Sequence, residues 1–185
     1  MAIFRSGGES IMAKATYDPP TVMPDANHYG NVAPAYSFVA QAVEVAVDTE
    51  TGQVRVVRMV GADDLGKALN PLAVEGQLHG EMIQGLGFAL SEEIVSEGGQ
   101  VLNGNFSDYA IPKADHLPRV ESIFVETIDP HGPYGAKGVS ECSTLPPAPA
   151  IANAIYNAVG VRISSLPITP EKIVRALQAK QAAKA

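Results

Sequence analysis

The sequence has little cysteine, few basic side chains and no long apolar run, and each shortage excludes a class of protein. Its 185 residues contain one cysteine, which excludes an internal disulfide framework and a thiolate zinc cluster. Thirteen lysines and arginines stand against 20 aspartates and glutamates, and the net charge of −7 argues against a nucleic-acid-binding surface. No apolar run approaches the roughly 20 residues of a transmembrane helix, so no membrane span is expected.

Several targeting and catalytic patterns are also missing. Residues 1–12 lack the apolar core and cleavage pattern of a signal peptide, so the cytoplasm is the expected location. There is no serine elbow, no second positioned acid and no histidine paired with a nucleophile, which weighs against a hydrolase. The four histidines lack the spacing of metal ligands, so they are expected to be surface or structural residues; they are His28, His79, His116 and His131.

The apolar pattern that is present predicts a small set of strands and helices. Residues 1–35 show weak periodicity and many turn residues, which indicates an irregular lead-in to a domain at 36–185. Alternating valines in 36–60 predict a β-hairpin. A further strand is predicted at about 120–127, and helices are predicted at 71–90, at 147–160 and at 169–180, with fraying from Lys180 onward.

The segment before the first helix carries two adjacent acids. Asp63 and Asp64 lie in a predicted connection, residues 61–70. They suggest either a cation site or, more commonly, a solvated loop or a cap for the next helix. Asn70 followed by Pro71 is typical of a helix start, with asparagine as N-cap and proline in the first turn.

The first helix carries four glycines, although each costs about 1 kcal/mol relative to alanine inside a helix. Such a cost implies a close approach, either of another backbone or of a bulky cofactor. Leu78, Met82 and Leu86 share one face and are predicted to be core. A different face carries two amides and two glycines: Gln77, Gly80, Gln84 and Gly87.

The loop at 132–141 has three glycines and a proline, and then delivers one carboxylate, Glu141. Prolines at 146–149 and an apolar run follow, so Glu141 is placed shortly before a buried helix. Most loops of this kind are turns that happen to carry charge. The alternative is a desolvated carboxylate suited to base chemistry. The loop does not match a phosphate-binding loop.

Four short segments carry the most specific pattern in the chain. They are GQLHGEMIQGLG at 76–87, DYAIP at 108–112, GAKGVSE at 135–141 leading into PPAPAIANAIY at 146–156, and LPITPEKI at 166–173. In this order they resemble the signatures of the molybdenum hydroxylases, the xanthine dehydrogenase and aldehyde oxidase family. Nearly the whole chain from about Tyr29 onward is similar to the C-terminal portion of that family's molybdopterin-binding subunit.

The resemblance implies an α+β fold, with a β-hairpin and mixed sheet against a few helices. It implies a molybdenum–molybdopterin cofactor, in the cytosine dinucleotide form if the chain is bacterial, whose metal is held by the pterin. The implied reaction oxidises an electron-poor carbon of an N-heterocycle, aldehyde or aromatic thioester with oxygen derived from water. Electrons would leave through 2Fe–2S and FAD units on partner subunits, beside a larger molybdopterin-binding chain.

The same resemblance implies roles for individual residues. Glu141 would be the general base of the reaction. The cofactor-binding residues would be Gln77 and Gln84 on the helix, and Lys137, Gly138 and Val139 in the loop beside it.

The chain also departs from the family pattern. Ser140 stands where the family usually has glycine, and Cys142 where it often has proline. The family's other cofactor loops, its iron–sulfur cysteines and its flavin unit are absent, so the chain resembles the C-terminal third or less of such a subunit, encoded separately or as a fragment. The alternative interpretation is a non-catalytic assembly subunit derived from this domain.

Overall fold

The computed structural model describes residues 12–183, which form a mixed sheet and three α-helices. The strands are β1 (Val39–Val47), β2 (Val54–Asp64), β3 (Ser96–Glu97), β4 (Gln100–Val101) and β5 (Arg119–Val125); the helices are α1 (Pro71–Leu90), α2 (Pro147–Val159) and α3 (Pro170–Ala182). The main sheet has the order β1-β2-β5, with β1 antiparallel and β5 parallel to β2. The short β3 and β4 pair with each other. The predicted α+β fold with a mixed sheet is confirmed.

The predicted hairpin is formed by β1 and β2. Its turn is held by Asp48, whose carboxylate accepts hydrogen bonds from the backbone of Glu50 and Thr51 at 2.8 and 3.2 Å. Residues along β1 alternate between exposed and partly buried, as the valine pattern predicted. The outer face carries opposed charges: Glu44 is paired across the strands with Arg58, which binds Glu121 on β5. One face of the sheet is thereby left for the helices.

The acidic pair does not lie in a solvated connection, which corrects the sequence-based prediction. Strand β2 continues to Asp64 because it pairs with β5 as far as Asp64 opposite Val125. Asp63 is 3% exposed and Asp64 is 8% exposed. Pairing with a strand some 60 positions later therefore buries two carboxylates that looked like loop residues.

Helix α1 begins and packs as predicted. The Asn70 side chain accepts a hydrogen bond from the Ala73 N–H at 3.2 Å, which satisfies one free donor of the first turn. Leu78, Met82 and Leu86 are buried at 1%, 0% and 6% exposure. They lie in or beside a core that also includes Met59, Ile151, Ile155, Ile168 and Ile173.

The last helix is longer than expected. Helix α3 runs to Ala182, two residues beyond the predicted end at Lys180, and the fraying from Lys180 onward stays a prediction. The Lys180 ammonium donates a hydrogen bond to the carbonyl of Val159 at 2.8 Å, which satisfies a free acceptor at the end of α2. The predicted strand at 120–127 is also shorter and ends at Val125.

The lead-in contains a short turn within residues 12–35, where Val22 forms an isolated bridge to Asn31. Residues 1–11 and 184–185 lie outside the described residues, so the division of the chain at 35 stays a prediction. Among residues 12–183, no helix is both long enough and apolar enough to span a bilayer.

Candidate functional site

The glycine-rich loop is joined to the end of β2 by backbone hydrogen bonds. The Lys137 N–H donates to the Leu65 carbonyl and the Lys67 N–H donates to the Gly135 carbonyl, both at 2.9 Å. Gly66 lies between them with φ +64°, and a Cβ there would stand 2.7 Å from the Lys137 nitrogen. Only glycine tolerates both constraints, so a close backbone approach fixes the loop against the sheet.

The Lys137 side chain turns inward and pairs with one member of the acidic pair. Its ammonium lies 2.6 Å from the Asp64 carboxylate, and both side chains are 10% exposed. A second hydrogen bond, 3.1 Å long, goes to the Tyr36 carbonyl. The Lys137 side chain thus ties the loop to β2 and to the segment before β1. Its ammonium is already bonded to the Asp64 carboxylate and the Tyr36 carbonyl.

The same contact lowers the pKa of the Asp64 carboxyl, with the Lys137 hydrogen bond as the largest cause. A pKa below the unfolded value means that the pair stabilises the fold above the ordinary pKa of aspartate, about 3.9. That stabilisation is lost as the pH falls through the lowered folded pKa.

The two residues after Lys137 approach helix α1. Gly138 and Val139 line a cavity of about 10 Å³ together with Leu78 and Glu81. The Ser37 hydroxyl donates a hydrogen bond to the Gly138 carbonyl at 3.0 Å. The structure therefore brings Gly138 and Val139 beside the helix that carries Gln77.

Glu141 lies in a strained backbone position at the start of a short turn, Cys142–Thr144, six residues before the first residue of α2. Its φ and ψ are 44° and 6°, in the left-handed region, which costs a non-glycine residue on the order of 1–2 kcal/mol. Its side chain is exposed. Residues 12–183 therefore do not desolvate the Glu141 carboxylate as the base interpretation of the sequence requires.

The glycines of α1 divide into an open pair and a packed pair. A Cβ on Gly76 or Gly80 would meet nothing within 4 Å. A Cβ on Gly85 would lie 2.5 Å from Pro147, and one on Gly87 would overlap the Glu92 side chain. The C-terminal glycines therefore allow close packing, as one interpretation of the sequence predicted. Gly76 and Gly80 leave a cleared surface on the helix, and the approach of a cofactor to it stays a prediction.

Gln77 stands at this cleared surface and is linked to the loop through Glu81. Its amide nitrogen donates a hydrogen bond to Glu81 at 2.9 Å, and the other Glu81 oxygen accepts from the Ser143 N–H at 2.8 Å. Gln84 is exposed further along α1, about 10 Å away by helical rise, and takes no part in this network.

Sequence reasoning missed Glu81. The available signal was its position on the helix, between the apolar stripe of Leu78 and Met82 and the face of Gln77. A carboxylate there is 3% exposed and needs partners.

Among residues 12–183, no group of three or more histidine, cysteine or acidic side chains is arranged to hold a metal. Cys142 is partly buried, and its sulfur contacts the Ser140 carbonyl at 3.1 Å.

Comparison with known proteins gives one family. The model of the molybdopterin cofactor-binding domain matches residues 1–118. The chain is 41% identical over 139 residues to the putative xanthine dehydrogenase molybdenum-binding subunit XdhA of Escherichia coli K12, covering 74% of this chain and 18% of that one. It is 36% identical over 169 residues to the 6-hydroxypseudooxynicotine dehydrogenase complex subunit gamma of Paenarthrobacter nicotinovorans, covering 89% and 21%.

Solved structures give the same result. The aldehyde oxidoreductase from Desulfovibrio gigas matches with a TM-score of 0.76 and 36% identity, over 85% of this chain and 17% of that one. Quinoline 2-oxidoreductase from Pseudomonas putida 86 matches with a TM-score of 0.68 and 33% identity, over 72% and 18%. The chain spans about one fifth of the length of the curated relatives that it matches.

Proposed function

Because this chain belongs to the molybdopterin cofactor-binding domain family, we propose that it serves in the molybdenum-cofactor subunit of a hydroxylase or dehydrogenase. The substrate class is an electron-poor carbon, in an N-heterocycle, an aldehyde or an aromatic thioester. The oxygen added to that carbon derives from water. The observation that carries the proposal is the cleared helix surface beside Gln77, next to a loop that ends in Glu141.

The residues present fit a bulky, polar cofactor. Gly76, Gly80 and Gly138 have nothing within 4 Å of where a Cβ would stand, so a ligand can approach backbone there. Gln77 offers an amide at the same surface. The open space gives room for a bulky group, and the Gln77 amide suits the hydrogen-bonding edges of a pterin or the oxygens of its phosphate.

In this proposal Gln77 holds the cofactor, Gln84 is a further contact along α1, and Gly138 and Val139 form the facing wall. Lys137 contributes through the loop that its ion pair fixes. When bound, the molybdenum cofactor supplies the two-electron oxidation. We propose its cytosine dinucleotide form if the chain is bacterial.

Glu141 is proposed as the general base. Its side chain is exposed at the end of the loop, and left-handed backbone strain of the kind that Glu141 shows concentrates at functional sites. Cofactor, substrate and neighbouring chains then exclude water around a carboxylate that is exposed in this chain alone.

We propose a larger molybdopterin-binding chain as the partner, with iron–sulfur and flavin subunits taking the electrons. Exposed apolar side chains support an extensive interface: Phe38 is 72% exposed, Leu72 80% and Phe106 80%. The cytoplasmic location stays a prediction.

Replacing Gln77 with alanine is expected to lower the molybdenum and pterin content of the isolated complex. Removing the amide leaves polar groups of the cofactor unpaired, at a cost of about 1–3 kcal/mol. Metal analysis and pterin fluorescence measure the content per chain. Glu75→Ala on the same helix is the control. Equal content in the Gln77→Ala and wild-type complexes would refute a role for Gln77, and a metal-free wild-type complex would refute the proposed function.

Replacing Gly80 with alanine is expected to separate stability from cofactor binding. The new methyl group meets no atom of the chain and stabilises the helix by about 1 kcal/mol, but it occupies the cleared surface. The complex should therefore resist denaturation slightly better while holding less molybdopterin. Gly85→Ala is the comparison, because its Cβ clashes with Pro147 and should lower stability. A Gly80→Ala complex with full cofactor content would show that the surface is not the binding site.

A further inference from the structure

Glu81 is a buried carboxylate with two different kinds of partner. It is 3% exposed, although it belongs to a helix whose neighbouring Gly80 and Gln77 are exposed. One oxygen accepts from the Gln77 amide and the other from the backbone N–H of Ser143, which is fully buried. Both carboxylate oxygens are therefore used, one toward the cofactor-facing glutamine and one toward the turn that follows Glu141.

A carboxylate can only accept hydrogen bonds, whereas an amide has one accepting end and one donating end. Gln77 must therefore turn its NH₂ group toward Glu81. Its carbonyl oxygen and its second N–H are left at the cleared surface. The Ser143 backbone N–H can only donate, so it fixes the direction of every hydrogen bond from Ser143 through Glu81 to Gln77.

We propose that Glu81 is a positioning residue, which sets the orientation of the Gln77 amide toward the cofactor and couples that amide to the turn carrying Glu141. The inference rests on the proposed function, since it assumes that Gln77 meets the cofactor. It adds a residue whose effect on the cofactor passes through the Gln77 side chain.

The other bonds of Ser143 explain why the network has one arrangement. The Ser143 hydroxyl donates to Asp63, and the Ser143 carbonyl accepts from Gln41 on β1 at 2.9 Å. Burial raises the pKa of the Asp63 carboxyl, and the nearby charge of Glu81 adds to the rise. Ser143 is thus fixed to two strands, so the position of Glu81 is set by the sheet.

The test is the variant Glu81→Gln in the assembled complex. The new side chain must place its carbonyl on the Ser143 N–H, because an amide nitrogen there would oppose a donor. Its NH₂ then faces Gln77, which can bond it only by turning its own carbonyl inward. Every buried group keeps a partner, so the melting temperature should stay within about 2 °C of wild type. Cofactor retention should weaken about tenfold, the order expected for one misdirected hydrogen bond.

The comparison variant Glu81→Ala distinguishes positioning from simple support. It leaves the Ser143 N–H buried without a partner, so it should melt lower than Glu81→Gln. Gln77 is then free to turn either way, and cofactor retention per folded chain should exceed that of Glu81→Gln. If Glu81 had a merely structural role, the Glu81→Ala complex would have both the lower melting temperature and the lower cofactor retention of the two variants. Glu75→Gln, an exposed acid of the same helix, should match wild type in both.

The outcomes separate the two proposals. Weaker retention in Glu81→Gln than in Glu81→Ala, at higher stability, supports the inference. If Gln77→Ala loses cofactor but Glu81→Gln retains as much as wild type, the inference about Glu81 is overturned. A Glu81→Gln complex that melts below the Glu81→Ala complex also overturns it. If Gln77→Ala itself retains the cofactor, the assigned role of Gln77 fails first and the inference falls with it.

Discussion

Replacing Lys137 with methionine is expected to lower the stability of the loop by about 3 kcal/mol, because it leaves the Asp64 carboxylate buried without its cation. The two charged atoms lie 2.6 Å apart, and each side chain is 10% exposed. Methionine retains most of the apolar stem, so the loss reports the charge and not the volume. The Tyr36 carbonyl also loses its donor, which links the loop to the segment before β1.

Native-state hydrogen exchange in the complex measures this loss where it arises. The informative amides are those of Lys67 and residue 137, which bond the Gly135 and Leu65 carbonyls. Lys67→Met is the matched control, because its pair with Glu126 is 49% and 38% exposed and should contribute about 0–1 kcal/mol. Comparable loss of protection at residue 137 in the two variants would contradict the special role of the buried pair.

The features that sequence predicted correctly are local. The start of α1 follows from Asn70 and Pro71, and its core face from the spacing of Leu78, Met82 and Leu86. The hairpin likewise follows from alternating valines and a turn held by Asp48. In each case the residues that decide the structure lie within a few positions of one another.

The features that sequence missed depend on pairing across the chain. Asp64 looked like a loop residue because its partners are β5, about 60 positions later, and Lys137, 73 positions later. Glu81 looked like an ordinary helix charge because Ser143 lies 62 positions away. The open glycines could not be separated from the packed ones, since only the place of Pro147 and Glu92 in the fold distinguishes them.

The sequence predicted the place of the candidate base, Glu141, but not its surroundings. The sequence placed Glu141 in a turn before a buried helix, and the structure has it there with a left-handed backbone. Glu141 is exposed in this chain, whereas a base that works at a dry site needs other groups around it to exclude water. The proposed role of Glu141 therefore has to be tested in the assembled complex.

Replacing Glu141 with glutamine is expected to reduce turnover at least about 100-fold while leaving molybdenum and pterin content unchanged. Glutamine keeps the size and the left-handed backbone position of the residue but cannot accept a proton. General bases contribute about 10²–10⁴-fold in rate, and a base that activates the attacking water lies at the upper end. The measurement is kcat at saturating substrate, an aldehyde or N-heterocycle, on complex of known cofactor content.

The control for this prediction is Glu97→Gln, which removes an exposed carboxylate at the β3–β4 turn and should leave kcat unchanged. Lower kcat with unchanged cofactor content separates a proton-transfer role from a structural one, since a collapsed loop would lose cofactor as well. If kcat for Glu141→Gln stays within about threefold of wild type, Glu141 is not the base. The chain would then fit a subunit that binds the cofactor and assembles without performing the chemistry, because the sequence has no other carboxylate between Asp129 and Glu171.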